Sequence, residues 1–373
     1  MIAALLGAGA LLHPRRLLGQ DGQPDLGAGT AQTGMKYRTL GKTGIRVSAI
    51  GFGSHLNDLT LNNPAARASH INKGLALGIT LFDIYDHSYH QFAPMSKLLG
   101  PVRPQVVISL VTVGDKNKVL DEVEYALKTF NTDFIDLYRL YMETDTPRSE
   151  VEIRYQALQR AKEQGKVRAV GLVTHDHATL VEMLKTYPEL DYLKLPYNFQ
   201  HQRFAPSTAV QPLSWGQVKN ERLPPRAHKI AAEQLDGLTK ASSLDCQYSP
   251  CEDSELFPLV RKTGVGLIAI KPFAAGGLLK LALSDPLITE KLKDAQLSLP
   301  QAALRFVLET PEIASAIPAM NSIDEVVENV GAVQGNGLSR AETKILQLWA
   351  EAAERAQGAY LPEEYAWLEN WKA

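Results

Sequence analysis

The sequence predicts an α/β chain folded as a (β/α)8 TIM barrel with an N-terminal β-hairpin. Three observations carry that expectation. Short apolar runs alternate with helical periodicities eight times between about residues 47 and 333. The strand runs are apolar enough to be covered on both faces, as the strands of a barrel are. No Gly-x-Gly-x-x-Gly follows the first strand, which removes the usual fingerprint of the competing arrangement, an open doubly wound sheet. A chain of 373 residues with 45% hydrophobic content can bury a core of that size.

Taken in order, Tyr37 to Gly53 reads Tyr-Arg-Thr-Leu-Gly-Lys-Thr-Gly-Ile-Arg-Val-Ser-Ala-Ile-Gly-Phe-Gly. This is a hairpin over 37–46 around a Gly-Lys-Thr-Gly turn, followed by a buried first strand near 47–51. Alternation then gives helix 64–77, strand 79–83, helix 94–99, strand 105–111, helix 117–129, strand 133–141, helix 149–163 and strand 167–173. It continues with helix 177–186, strand 191–197, helix 254–263, strand 266–271, helix 300–309, strand 313–318 and helix 322–332. Ser339 opens a further helix to about Ala356, and the tail after it carries Tyr360, Tyr365, Trp367 and Trp371, an aromatic density suited to packing on the barrel mouth or on another subunit.

Three stretches stand outside this rhythm. Residues 1–35 combine an apolar Ile2–Leu12 run, Pro14-Arg15-Arg16 and a Gly-rich polar tract; both a secretory signal and a disordered tail share this composition. Export to the periplasm and a cytoplasmic location therefore both stand. Residues 199–253, with Pro212, Trp215 and Pro224-Pro225 and a helix expected near Ala227–Leu238, form an insertion that either caps the active face or makes an excursion away from any ligand. Within it, Cys246 and Cys251 are too few for a four-cysteine zinc site, and a local disulfide and two free thiols are both open. A net charge of −2 with scattered Lys and Arg gives no footprint for nucleic acid or an anionic membrane surface.

Chemistry concentrates at residues 79–90, where an apolar strand ends in Asp83, Asp86, His87, Tyr89 and His90, all able to move protons or bind metal. Barrel sites lie at the carboxyl ends of strands, and Tyr141, His175, Tyr197 and Lys271 occupy such ends as well. A plain solvated turn, with Asp83 capping the next helix, is the alternative.

The order of motifs resembles the aldo/keto reductase superfamily over nearly all of residues 36–335, and the signal-like N-terminus resembles an exported bacterial branch of it. The marks are the opening hairpin and strand at 37–53, Asp133-Phe-Ile-Asp-Leu-Tyr, Gly165-Lys-Val-Arg-Ala-Val-Gly, Pro196-Tyr-Asn, and Ile317-Pro followed by Glu328-Asn329. The resemblance implies hydride transfer between NAD(P)H and a small carbonyl or alcohol, with a tyrosine acid tuned by a lysine and an aspartate and a histidine that orients substrate. It places the aspartate at Asp83 and a cofactor site on Asn198, Lys271, Gly276, Gly277, Asn321, Ser322, Glu328 and Asn329.

Several positions depart from the family pattern. Its tyrosine falls on Ser88, with Tyr89 one residue further; its lysine falls on Val111 or Thr112; its histidine falls on Tyr141. Residues that hold the nicotinamide are replaced by Val173, Lys194 and Ile270, and the basic residue for an adenosine 2′-phosphate is absent near 321–323. Three readings follow. The first is an oxidoreductase with Tyr89 as acid, Asp83 as its partner, His87 as substitute base and Tyr141 across the pocket, using NAD(P) without specific support for NADP. The second is a non-catalytic dinucleotide- or ligand-binding barrel. The third is a metal-dependent enzyme built on the Asp83–His90 loop with His175 and His177. With Val111 in place of an ammonium, Asp83 is expected to be protonated, or hydrogen-bonded to Tyr89, Tyr141 or His87.

Overall fold

The computed structural model describes residues 34–54, 64–85, 91–112, 114–142, 146–174, 177–200, 255–295, 297–335 and 337–356. Residues 1–33, residues 201–254 with both cysteines, and the aromatic tail lie outside the described residues.

Strands β1 (Tyr37–Thr39) and β2 (Arg46–Ser48) pair antiparallel as the expected hairpin. Eight parallel strands follow: β3 (Phe52–Gly53), β4 (Leu81–Asp83), β5 (Val107–Thr112), β6 (Ile135–Tyr141), β7 (Val167–Val173), β8 (Tyr192–Pro196), β9 (Gly266–Ile270) and β10 (Ile313–Ile317). Each neighbours the next in chain order, and the parallel bridges Ile50↔Ala316 and Gly53↔Ala319 join first to last and close the ring. The first barrel strand starts later than the sequence suggests, because Val47 and Ser48 belong to the hairpin. The Ser48 hydroxyl donates to the Ile50 carbonyl and accepts from the Thr80 and Leu81 amides, turning the chain within an unbroken apolar run.

The hairpin plugs the amino-terminal end of the barrel. Leu40, Ile45 and Val47 pack with Leu81, Val107, Leu137, Ala169, Tyr192 and Ile268 in an interior cluster separate from the larger core between strands and helices. Each buried aliphatic plug residue contributes about 1.5–3 kcal/mol relative to exposure. Arg38 donates to the carbonyls of Ile313 and Leu308, and Lys42 N–H donates to the Gly264 carbonyl. Gly41, at φ 47°, lies so close to the Gly264–Gly266 backbone that a Cβ there would come within 3.0 Å of it.

Around the strands lie α1 (Pro64–Ala76), α2 (Phe92–Leu99), α3 (Val119–Phe130), α4 (Arg148–Glu163), α5 (His177–Thr186), α6 (Leu256–Thr263), α7 (Gly277–Ser284), α8 (Pro286–Ala295), α9 (Leu299–Glu309), α10 (Ile323–Gly331) and α11 (Arg340–Ala356). Two of these, α7 and α8, are not predicted by the sequence pattern, because Gly276-Gly277 and Pro286 punctuate it as loop does. In the fold they are closed helices. The Asp285 carboxylate accepts the Leu287 and Ile288 amides at the start of α8, and buried Trp349 of α11 donates its indole N–H to the Leu278 carbonyl of α7 at 2.7 Å. At the start of α11, Ser339 and Glu342 form a reciprocal capping box, as the sequence placement of that helix requires.

Candidate active site

Residues two apart on a strand share a face, so the interior positions Leu81, Val107, Leu137 and Tyr192 dictate what stands above them. Moving two residues toward the carboxyl end gives Asp83, Ser109, Arg139 and Lys194, in register through Asp83↔Ser109, Val111↔Arg139 and Val173↔Lys194. An apolar layer thus gives way to a charged one. Gly171 stands beside Tyr192, whose ring fills the space where a Cβ on Gly171 would come within 3.0 Å of it.

Two of the four, Arg139 and Lys194, converge on one carboxylate oxygen of Asp83, and both also donate to Ser109. Arg139 Nη1 donates to Asp83 Oδ1 at 2.8 Å and to Ser109 Oγ at 3.0 Å, while its Nη2 lies 3.4 Å from Asp83 Oδ2. Lys194 Nζ donates to the same Asp83 Oδ1 at 2.5 Å and to Ser109 Oγ at 2.9 Å. Lys194 and Ser109 are 0% exposed, Arg139 2% and Asp83 6%. Burial alone would raise the Asp83 carboxyl; attraction from Arg139 and then Lys194, with their hydrogen bonds and that of Ser109, outweighs it and holds the group below the usual carboxylate range.

Lys194 moves the other way from a simple salt-bridge partner. Burial first, and repulsion from Arg139 second, bring its ammonium down to about 7 against the opposing pull of Asp83. The charge count explains both directions. One anion serves two cations, so the fully ionised cluster is net positive in a dry interior; guanidinium does not release its proton, and the ammonium therefore carries the strain. Tyr192, facing the same cluster, is raised by burial and stays protonated.

This overturns the expectation that Asp83 lacks a cation and is neutral. Val111 does stand at its strand end, buried and apolar, but positive charge arrives from β6 and β8 instead. The sequence motifs do not point to Ser109 or Arg139, and at Lys194 they point only to the loss of an amide. A signal was available: Arg139 interrupts the apolar run of β6, and Lys194 that of β8, each at the parity that points into the barrel.

The other candidates are distributed as follows. Tyr141 is half-buried, with its ring edge-on to that of Tyr85 at 6.3 Å. Asp86, His87, Tyr89, His90 and His175 lie outside the described residues, as does the side chain of His177. Among the described residues no group of three or more His, Cys, Asp or Glu is arranged to hold a metal ion.

Asn198 is buried; its amide donates to the Lys271 carbonyl at 3.3 Å and its oxygen accepts the Gln200 N–H, tying the β8 and β9 loops together. Lys271 follows β9 in a left-handed conformation, φ 54°, and Gly276 at φ 85° leads into Gly277, the first residue of α7. Neighbouring β10 leads to Asn321 and Ser322 at the start of α10, on the same end of the barrel as Lys271. There the helix caps itself: Ser322 Oγ accepts the Glu325 amide at 3.1 Å, and Glu325 accepts the Asn321 amide at 2.7 Å. Glu328 accepts from the Ser298 hydroxyl that caps α9, and Asn329 is buried.

Comparisons agree with this architecture. The model of the aldo/keto reductase family matches residues 49–212 and 225–348. The chain is 25% identical over 334 residues to an L-galactose dehydrogenase of Arabidopsis thaliana, covering 81% of this chain and 89% of that protein. It is 26% identical over 246 residues to an NADH-specific methylglyoxal reductase of Escherichia coli, covering 64% and 65% respectively. Among solved structures, aldo-keto reductase AKR11C1 of Bacillus halodurans shares the fold, with TM-score 0.57 and 22% identity over 86% of this chain and 97% of that one. With strand order, hairpin and family model in accord over most of its length, the chain belongs to the aldo/keto reductase family.

Proposed function

We propose that the protein is an NAD(P)(H)-dependent oxidoreductase that interconverts small carbonyl compounds and alcohols at the mouth of the barrel. The observation that carries this reading is the ionised Asp83, seated at a strand end among Ser109, Arg139 and Lys194. A buried charged cluster at the carboxyl end of barrel strands is where such chemistry is housed, and replacing it by apolar residues of like volume would cost little stability. The names of two relatives, a sugar dehydrogenase and a methylglyoxal reductase, are consistent with a small polar substrate.

A dinucleotide fits the chain better at its phosphate end than at its ring end. Lys271, the left-handed backbone through Gly276, and Gly277 offer charge and backbone approach, with Asn321 and Ser322 after the next strand at the same end of the barrel. Around the ring, Val173 and Ile270 offer apolar contact in place of amides, and Lys194 is committed to Asp83. Glu325 already occupies the Asn321 amide with a carboxylate, which opposes a 2′-phosphate there and favours NADH over NADPH. The bound cofactor would supply hydride to the carbonyl carbon. The chain would supply the rest: Tyr89 donating the proton with Asp83 as its charged partner, His87 as an exchangeable base, and Tyr141 orienting the substrate oxygen. Export through residues 1–35 belongs to the same proposal, and N-terminal sequencing of the secreted fraction tests it.

The decisive experiment is oxidation of NADH and NADPH by the purified full chain with a panel of aldehydes, ketones and sugar lactones. Turnover is expected with NADH, and Asp83→Asn should lower kcat by about 100-fold or more, the scale of losing a preorganised charge. The second reading, a non-catalytic binding barrel, is favoured by the self-capped α10 start. NADH binding with no turnover across the panel would select it.

A further inference from the structure

We propose that Lys194 is a positioning cation of this site, reaching Asp83 across the barrel axis from the sixth parallel strand in place of the ammonium that Val111 on the third strand cannot supply. The inference rests on the reading of Asp83 as part of the working centre and names the group that governs it. In the ring order, β4 and β8 are the second and sixth strands and stand opposite each other. Only a long side chain from β8 can cross to the short carboxylate on β4. The contact is made at 2.5 Å, with Ser109 Oγ at 2.9 Å as the second acceptor of the ammonium. Both cations converge on Oδ1, while the contact to Oδ2 among the described residues is the longer one from Arg139 at 3.4 Å.

Among the described residues, the titratable and charged groups that face Lys194 are Asp83 on β4, Arg139 on β6 and Tyr192 on its own strand. A guanidinium does not titrate in this range, Asp83 is held ionised, and Tyr192 is held neutral, so Lys194 is the member that changes charge near neutral pH. As an ammonium it donates to Asp83 and Ser109. As an amine it keeps two N–H donors but loses its charge, so that Arg139 is left as the cation on Asp83, and its lone pair can accept from the Ser109 hydroxyl. The charge beside the reacting centre therefore falls by one as pH rises through this transition, and carbonyl reduction, which needs a proton delivered, should fall with it.

The test uses the full chain, wild type against Lys194→Met, Lys194→Arg and the pair Val111→Lys with Lys194→Met. Lysine side chains labelled at Cε and Nζ are titrated by NMR from pH 5 to 10, which requires no turnover. One resonance should titrate near neutrality and be missing from Lys194→Met; a Lys194 signal that titrates with the solvent lysines, at about 10.4, would sink the inference. For activity, wild-type kcat for reduction should fall about tenfold per pH unit above the same transition. Lys194→Met should be flat in pH, Lys194→Arg should move the limb beyond pH 9 while keeping most of kcat, and returning a lysine at position 111 should restore rate. A Lys194→Met enzyme with lower stability but an unchanged pH limb assigns the residue a purely structural role and also overturns the proposal. If Lys194→Met does not fold, wild type and Lys194→Arg decide by the same two readouts. A titrating Lys194 in a chain without any turnover would fell the oxidoreductase reading alone, and ordinary turnover with a non-titrating Lys194 would fell this inference alone.

Discussion

Removing the carboxylate from the barrel centre and removing its odd cation should have opposite consequences, and the pair makes a sharp test of the charge count. Asp83→Asn leaves Arg139 and Lys194 buried without an anion. Breaking a buried pair in this way costs about 3–5 kcal/mol. Lys194→Met instead leaves one anion with one guanidinium and should be neutral or stabilising, by up to about 3 kcal/mol at acidic pH. The pH dependence has a fixed sign. The Lys194 proton leaves at about 7 in the fold, against 10.5 for the ordinary side chain. Between those values the unfolded chain binds more protons, so wild-type stability rises with pH through that window, by at most about 1.4 kcal/mol per unit, less what coupling to Asp83 returns. Asp83 acts at the other end: its lowered carboxyl adds stability above the ordinary carboxylate range that is lost as pH falls.

Urea unfolding followed by tryptophan fluorescence at pH 6 and pH 9 measures the four corners of the cycle. The gain from Lys194→Met should shrink by about 2–3 kcal/mol between the two pH values. Asp83→Asn should be much less harmful in the Lys194→Met background. Additivity of the two substitutions within about 0.5 kcal/mol, or a Lys194→Met effect independent of pH, would refute the account.

Two further outcomes follow from the same layer and its rim. Gly171→Ala places a methyl against the Tyr192 ring and should cost about 1–3 kcal/mol, visible as a lower Tm, with a larger loss of activity than of stability as the ring is pushed toward Arg139; an unchanged Tm would mean that the ring has room to yield. Glu325→Arg replaces the carboxylate at the start of α10 by a cation and should strengthen NADPH binding about tenfold or more relative to NADH, measured by fluorescence titration, while Glu325→Gln should narrow the difference without reversing it.

Much of the scaffold was legible in the amino-acid order because its causes are local. Strand β7 and helix α5 fall where periodicity puts them, at 167–173 and 177–186, since alternation between an apolar run and an amphipathic turn is written into neighbouring residues. The Ser322 and Ser339 helix starts are equally local, each a hydroxyl three residues from a glutamate. Where the cause is a contact made elsewhere, the pattern was silent. The division of Val47 and Ser48 from the first barrel strand depends on Thr80, and α7 is secured by Trp349, 71 positions away. The centre of the site is the extreme case. The sequence places a carboxylate at a strand end, and the family resemblance marks a lysine missing near it, but Arg139 and Lys194 lie 56 and 111 positions from Asp83, on strands whose side chains reach it only when eight strands close into a ring. Inward parity could mark both as costly buried charges; which anion they share was decided by closure, because only a barrel about one long side chain in radius lets opposite walls meet.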